Sequence, residues 1–255
     1  AAAAAAVINK QKTTTSSSTH RIPQQLLFEL AHYSIYANAA YGWTLDLAFK
    51  RKFHRNDLQT LIQSTGVQEE DIIATEWSAK TLRPAYFIVR DRDLQTIVLC
   101  VRGTLSTRDI LTDLCCTAES FTVAGDDDDG GDVGDAGVDS TDHQAHQGML
   151  HSALFVSEAA KSIVRKALAD NPGYSLVLVG HSLGSGVAAV LGTLWEEDFP
   201  DLKVYGYGSP CVGPLGSKPT ESRNVYSVIA EGDPFGALSL GHVADVSNAI
   251  AALCE

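Results

Sequence analysis

The 255-residue chain is long enough for one large α/β domain, or two small domains, with a sizeable core. Its hydrophobic content of 45% and charged content of 20% are typical of a globular protein. The net charge of −12 is concentrated in residues 125–142, where eight aspartates occur without a lysine or arginine. Because no basic stripe is present to meet phosphates, the composition argues against nucleic-acid binding.

The N-terminal 20 residues differ in composition from the rest of the chain. They contain six alanines and a Ser/Thr-rich run that is typical of a flexible linker. One domain is predicted over residues 21–255. The five cysteines are odd in number and lack a framework spacing, so we expect reduced thiols and an intracellular location, with membrane association left open. No run reaches the roughly 18 apolar residues of a membrane span.

The N-terminal part of this domain reads as helical. A helix is predicted to begin at Pro23 and to end at Tyr41-Gly42-Trp43. A second helical or irregular stretch covers residues 45–64. The first helix has an apolar face at three- to four-residue spacing, made of Leu26, Leu27, Leu30, Tyr33, Ile35, Ala37 and Ala40.

Two strands follow, over residues 85–91 and 96–102, and Arg92-Asp93-Leu94 is predicted to be the hairpin turn between them. The second strand ends in Arg102-Gly103-Thr104, before a predicted helix over residues 107–115. The acidic insert at 120–145 has too few apolar residues to pack, so residues 120–144 are expected to be disordered or mobile.

The remainder alternates helices and strands. A helix is predicted over 149–169, short strands over 204–208 and 225–230, and a last helix over 243–253. Between them lies the strand–turn–helix unit of residues 174–190. Such alternation predicts an α/β fold with a mostly parallel central sheet, an antiparallel start and flanking helices.

The unit at residues 174–190 carries the strongest chemical signal. An apolar run stops at Gly180, and Ser182 and Gly184 complete a Gly-x-Ser-x-Gly pattern before a helix of small residues. This spacing predicts a nucleophilic Ser182 at the apex of a sharp turn, with glycines where side chains would crowd strand and helix. The N–H of Leu183 then points at an oxyanion formed by attack of Ser182. A tight structural turn is the alternative.

Two further residues fit roles beside Ser182. Asp233 follows a predicted strand in the serine-then-aspartate order, at the edge where catalytic groups gather, and is preferred as the acid over Asp198 and Asp201. Thr104, at a strand end after a glycine, is the second candidate oxyanion donor. A turn aspartate before proline and a helix N-cap are the respective alternatives.

The base is the weakest part of the pattern. Of eight histidines, His242 alone follows Asp233, and the eight residues between them leave scant room for an intervening strand. His181 adjoins the nucleophile, but neighbouring positions in the turn point apart, so it is interpreted as bracing the turn. His146 and His151 are assigned to the exit of the acidic insert and the helix after it.

With these residues, the chain resembles the class 3 lipases, most closely the sn-1-specific diacylglycerol lipases, from about Leu26 to about Asp245. The resemblance implies an α/β-hydrolase fold, Ser182 as nucleophile, Asp233 as acid, Thr104 with Leu183 as oxyanion hole, and a lid at 120–145. It also implies no metal or organic cofactor. It rests on ANAAYGW at 37–43, VRGTLSTRDILTDL at 101–114, HQGML at 146–150 and LVLVGHSLGSGVAA at 176–189.

Two departures from the family bear on the site. Pro234-Phe235-Gly236-Ala237 follows the acid where the family has a Val-Pro-Arg type sequence. The family's histidine lies farther beyond the acid, after another strand, so the C-terminal part of the fold is expected to be incomplete. The base is accordingly expected either at His242 or beyond Glu255.

The leading prediction is a serine lipase that cleaves an acyl ester of diacylglycerol or a related glyceride at a membrane or lipid-droplet interface. The alternatives are a phospholipase A1 or carboxylesterase on the same fold, or a catalytically silent hydrolase fold that binds lipid or a protein. The sequence names no protein partner.

Overall fold

A computed structural model describes residues 22–42, 56–103, 118–121, 143–212 and 224–233. Its described part contains eight strands, six of them in one sheet and two in a separate pair. In chain order they are β1 (Ile72–Glu76), β2 (Tyr86–Asp91), β3 (Thr96–Val101), β4 (Ala118–Phe121), β5 (His143–His146), β6 (Ser175–His181), β7 (Lys203–Tyr207) and β8 (Val225–Val228).

The six-stranded sheet has the order β1–β2–β3–β6–β7–β8. Strands β1, β2 and β3 pair antiparallel, whereas β3, β6, β7 and β8 are parallel to their neighbours. This confirms the predicted parallel sheet with an antiparallel start. Strand β1 was not predicted, because it is a half-buried edge strand whose five residues include a threonine and a glutamate.

Four α-helices flank the sheet in the described residues: α1 (Gln24–Ala39), α2 (Asp57–Thr65), α3 (Gln147–Asp170) and α4 (Leu183–Leu194). Helix α2 begins at Asn56, whose side chain accepts from the N–H of Gln59 at 2.8 Å, and ends at Gly66 in the left-handed conformation. Helices α1 and α2 cover one face of the sheet, and α3 and α4 cover the other.

The strands supply both cores through the two-residue alternation of a pleated sheet. On β2, Tyr86 and Ile88 face α3 and α4, whereas Phe87 and Val89 face α1. The same alternation holds for β3, β6 and β7. A sheet buried on both faces explains why these strands read as nearly continuous apolar runs in the sequence.

Helix α1 meets the sheet through tyrosines and small residues. It buries Tyr33, Tyr36, Ala37 and Ala39, but Ile35 is 41% exposed, so its predicted place on the apolar face is wrong. Residues two apart in a helix point roughly 200° apart, which sends Ile35 away from the sheet once Tyr33 faces it. In the sequence, four of the five residues at 33–37 are apolar or aromatic, so their spacing does not show which of them face the sheet.

The acidic insert begins and ends in paired strands. Strands β4 and β5 are antiparallel, with Phe121 opposite His143. The expectation of disorder is therefore wrong at residues 120, 121, 143 and 144, because backbone pairing orders them despite their polar composition. The N–H of His146 also bonds the carbonyl of Val212 at 2.9 Å.

Several predictions concern residues outside this description: Thr104, the helices at 107–115 and 243–253, the central acidic residues 122–142, and His242. In the part of the chain that the structure does describe, no helix combines the length and hydropathy needed to cross a membrane.

Candidate active site

Ser182 stands at the junction of β6 and α4 with an unusual backbone conformation. Its φ of 54° and ψ of −130° lie in a region that residues with a Cβ rarely adopt, at a cost of about 1–3 kcal/mol. The Ser182 N–H donates to the carbonyl of Tyr207 at 2.8 Å, and its carbonyl accepts from the N–H of Ser185 at 2.9 Å. These bonds hold the turn, which confirms the predicted strand–turn–helix at the carboxyl end of β6.

The two motif glycines are required by close backbone contacts. A Cβ on Gly180 would lie 2.2 Å from the carbonyl oxygen of Gly184. A Cβ on Gly184 would lie 2.3 Å from the carbonyl oxygen of Val101, at the end of β3. Both contacts are with backbone atoms, which cannot rotate away as a side chain does. The predicted reason for glycine at these positions is confirmed.

The end of β3 lies directly against the turn. A Cβ on Gly103 would stand 2.4 Å from the carbonyl oxygen of His181 and 3.3 Å from the Cβ of Ser182. Leu183 is the first residue of α4, where backbone N–H groups lack a carbonyl one turn earlier and the helix dipole favours negative charge. The end of β3 and the start of α4 therefore meet around Ser182.

Asp233 reaches the same edge of the sheet from beyond β8. Its N–H bonds the carbonyl of Ala230 at 3.1 Å. A Cβ on Gly208, which follows β7, would lie 3.5 Å from Oδ2 of Asp233 and 3.5 Å from Nε2 of His181. Asp233 thus lies near His181, the residue that precedes Ser182.

The other candidate acids lie at the far end of α4. Asp198 forms ion pairs with Lys161 and Arg165 of α3, and Asp201 is exposed in a turn. Helix α4 begins at the Ser182 turn and has 12 residues, which is a length of about 18 Å. This separation supports the preference for Asp233.

His181 lies at the exposed end of β6, with its ring partly buried against Tyr41, which follows α1. The Tyr41 hydroxyl lies 2.6 Å from Nδ1 of His181, and the rings meet edge to face. Burial lowers the pKa of His181 below its ordinary value, and the charge of Asp233 partly offsets that effect. The contact agrees with the interpretation that His181 braces the turn. The contact of Tyr41 with His181 was not predicted from the sequence, although Tyr41 lies within the ANAAYGW segment.

The remaining described histidines have distinct places. His32 pairs with Asp91 at the opposite edge of the sheet, His146 is buried at the end of β5, and His151 lies 3.0 Å from a carboxylate oxygen of Glu119. The predicted positions of His146 and His151 are confirmed. Within the described ranges, no three His, Cys, Asp or Glu side chains are grouped as metal ligands would be.

Comparisons with known proteins agree with this arrangement. Residues 98–240, more than half of the chain, match the family Lipase (class 3). The chain is 29% identical over 205 residues to diacylglycerol lipase-beta of Mus musculus, a match that covers 70% of this chain and 29% of the relative. It is 35% identical over 105 residues to secreted mono- and diacylglycerol lipase A of Penicillium camembertii, covering 39% of this chain and 34% of the relative.

Among solved structures, the fold is similar to a lipase from Rhizopus microsporus var. chinensis, with a TM-score of 0.55 and 22% identity. That match covers 79% of this chain and 64% of the other, and it supports the predicted α/β-hydrolase fold. The chain spans about a third or less of the length of the two curated relatives above. The family match and the geometry around Ser182 together show that this chain belongs to the class 3 lipases.

Proposed function

We propose that the protein is a serine lipase that hydrolyses an acyl ester bond of diacylglycerol or a related glyceride. The observation that carries this proposal is the backbone of Ser182, held at a φ of 54° between β6 and α4. Strain of this kind persists only where surrounding contacts enforce it, and it concentrates at sites of function. Membership of the class 3 lipases supports the same reaction type.

In the first half of the reaction, the Ser182 hydroxyl oxygen attacks the ester carbonyl carbon while a histidine accepts its proton. Asp233 accepts a hydrogen bond from that histidine and stabilises its positive charge. His242 is the candidate base within the chain, because it is the histidine that follows Asp233 in sequence.

The negative charge that forms on the carbonyl oxygen needs hydrogen-bond donors on the side of the ester opposite the histidine. The Leu183 N–H, at the positive end of α4, is one proposed donor. The Thr104 N–H is the second, since Thr104 is joined by a peptide bond to Gly103, whose Cα lies against the turn. Loss of a single oxyanion donor typically costs about 100- to 1,000-fold in kcat.

The intermediate then collapses. The bond from the carbonyl carbon to the glycerol oxygen breaks, and that oxygen takes the proton from the histidine, which leaves an acyl-Ser182 ester. A water molecule gives a proton to the histidine, attacks the acyl carbon, and releases the fatty acid with return of the proton to Ser182.

The substrate class is inferred from the relatives. The mouse relative is named a diacylglycerol lipase and the fungal one a mono- and diacylglycerol lipase. We infer that this protein acts on glyceride esters presented at a membrane or lipid-droplet surface inside the cell. A phospholipase A1 or a general carboxylesterase would use the same chemistry with a different head group or alcohol.

Labelling with a fluorophosphonate tests the activated serine. We expect the wild-type protein and Ser34→Ala, a matched helix-surface control, to be labelled, and Ser182→Ala to show no labelling. Asp233→Asn and His242→Ala should slow labelling strongly if both act with Ser182. Hydrolysis that survives in Ser182→Ala would refute the proposal.

Substrate class requires a direct comparison. Diacylglycerol, phosphatidylcholine and a soluble p-nitrophenyl ester are offered in identical mixed micelles, and released fatty acid is measured by mass spectrometry. We expect diacylglycerol to give the highest kcat/KM. A higher value for phosphatidylcholine would reassign the protein as a phospholipase, and equal values would indicate a general esterase.

A further inference from the structure

The contact between Tyr41 and His181 takes no part in the reaction described above. We propose that these two side chains are positioning residues, in which Tyr41 holds His181 in the tautomer that directs an N–H toward the carboxylate of Asp233. This inference rests on the proposed function, since it concerns the acid of the same site. It starts from the 2.6 Å contact between the Tyr41 hydroxyl and Nδ1 of His181.

The surroundings of the Tyr41 hydroxyl and of the His181 ring indicate that the hydroxyl donates this hydrogen bond and Nδ1 accepts it. Burial raises the pKa of the Tyr41 hydroxyl; the nearby Cys100 thiol adds to this effect and Arg102 opposes it. The hydroxyl therefore keeps its hydrogen at neutral pH. Burial also lowers the pKa of His181, so the imidazole is neutral there. A neutral ring has one N–H, and a ring that accepts from Tyr41 at Nδ1 carries its hydrogen on Nε2.

Nε2 faces the acid. The position that a Cβ of Gly208 would take lies 3.5 Å from Nε2 of His181 and 3.5 Å from Oδ2 of Asp233. Gly208 has a φ of +56° and places no side chain beside the ring and the carboxylate. The negative charge of Asp233 raises the proton affinity of His181 against the effect of burial, so the two groups interact electrostatically.

Tyr41 also touches the other side of the site. A Cβ on Gly103 would lie 2.7 Å from the Tyr41 hydroxyl oxygen and 3.3 Å from Cβ of Ser182. The Tyr41 hydroxyl thus stands between the end of β3 and His181. The titratable or charged groups that act on the pair are Asp233 from beyond β8, Cys100 and Arg102 from the end of β3, and, through Arg102, Asp57 of α2.

The physical consequence is a carboxylate that is held in orientation. A hydrogen bond to a charged group is stronger than one between neutral groups, so an N–H directed at Asp233 restricts the rotation of its carboxylate. Without the Nε2–H, Asp233 should orient the base less well. The steady-state signature is a lower kcat with little change in KM.

The experiment compares four variants of the full chain on a soluble p-nitrophenyl ester. Tyr41→Phe removes the hydroxyl, His181→Leu removes both ring nitrogens, and His181→Gln restores an N–H near the place of Nε2. The matched control is Tyr33→Phe, a buried tyrosine of α1 whose hydroxyl contacts Oγ1 of Thr96 at 3.2 Å, at the opposite edge of the sheet.

We expect Tyr41→Phe and His181→Leu to lower kcat by about tenfold to a hundredfold with KM within about twofold. His181→Gln should recover most of the kcat that His181→Leu loses. Equal losses of kcat in His181→Gln and His181→Leu would overturn the inference and leave a structural brace.

Two further measurements distinguish a failure of the proposed function from a failure of this inference alone. If Ser182→Ala retains hydrolysis, the proposed function fails; if Ser182→Ala is inactive but Tyr41→Phe and His181→Leu behave like Tyr33→Phe, the inference alone fails. Should Tyr41→Phe not fold, ¹⁵N NMR of the histidine rings in wild-type protein decides, with the His181 signals identified by their loss in His181→Gln. A hydrogen on Nε2 supports the inference, and a hydrogen on Nδ1 overturns it.

Discussion

Gly184 and Val101 bring helix α4 and strand β3 into backbone contact, since a Cβ on Gly184 would lie only 2.3 Å from the Val101 carbonyl oxygen. Gly184 is two residues after Ser182, and Val101 is two residues before Gly103. The contact therefore sets the distance between the helix start, with the Leu183 N–H, and the chain segment that leads to Thr104.

A single methyl group at Gly184 should separate these two segments. We expect Gly184→Ala to lower the free energy of unfolding by about 1–3 kcal/mol, because overpacking forces the backbone to shift. Fluorophosphonate labelling should fall by about a hundredfold, since displacements near 1 Å at a reacting group have such effects. Chemical denaturation and labelling rates measure the two quantities.

The matched control for this change is Gly148→Ala in the first turn of α3. The nearest atom to a Cβ there is Cε1 of His146 at 3.4 Å, which is ordinary contact. We expect this variant to keep wild-type stability and labelling. Wild-type labelling in Gly184→Ala would show that the contact does not define the site.

The buried Asp91 should make the fold sensitive to acid. Its carboxylate pairs with His32 and accepts from the hydroxyl of Tyr36 at 2.9 Å and from the N–H of Asp93 at 2.9 Å. Burial alone raises the pKa of Asp91, but these partners, above all the hydrogen bond and charge of His32, outweigh it and lower the pKa below 3.8. The folded state thus binds this proton less readily than the unfolded state.

The sign of the pH dependence follows from that lowered pKa. The stabilisation from Asp91 is fully present above about pH 4, near the unfolded-state value, and is lost as pH falls through the lower folded-state value. We expect Asp91→Asn to cost about 1.5–3 kcal/mol at pH 7 and less at pH 3, measured by urea unfolding. Asp93→Asn, at an exposed position, is the control. A cost that does not change with pH would contradict this account.

The acidic residues 125–142 should influence binding to charged surfaces. Eight negative charges repel an anionic membrane over about one Debye length, which is roughly 10 Å at 0.1 M salt. We expect neutralisation to raise glyceride hydrolysis on anionic vesicles several-fold at low salt, with little effect on a soluble ester. The variant replaces, with asparagine, Asp126, Asp127, Asp128, Asp129, Asp132, Asp135, Asp139 and Asp142.

A second variant distinguishes the effect of the acidic segment's charge from the effect of its length. Phe121 and His143 are paired opposite each other, so an Asn-Gly turn can join β4 to β5 in place of residues 122–142. If charge is the cause, both variants gain on anionic vesicles and the gain disappears at high salt. A gain on neutral vesicles, or one that salt does not reduce, would refute the electrostatic explanation.

The nucleophile unit was predictable because its determinants are local. A buried strand, two glycines and a helix of small residues are adjacent in the chain, so their periodicity and spacing specify the turn at Ser182. The hairpin at residues 92–95 was predictable for the same reason. Strand β1 and the β4–β5 pair were missed, because polar, half-exposed strands form by pairing with a partner that local composition does not reveal.

By itself, the sequence determined the order of strands and helices, the Ser182 turn and the likeness to class 3 lipases, all of which depend on neighbouring residues. Tertiary structure alone decided which distant groups meet there. It placed Tyr41 against His181 across 140 residues, brought Asp233 near His181, and kept Asp198 at the far end of α4. Such contacts arise from the way the parallel strands stack their carboxyl ends at one edge, and no local pattern encodes that packing.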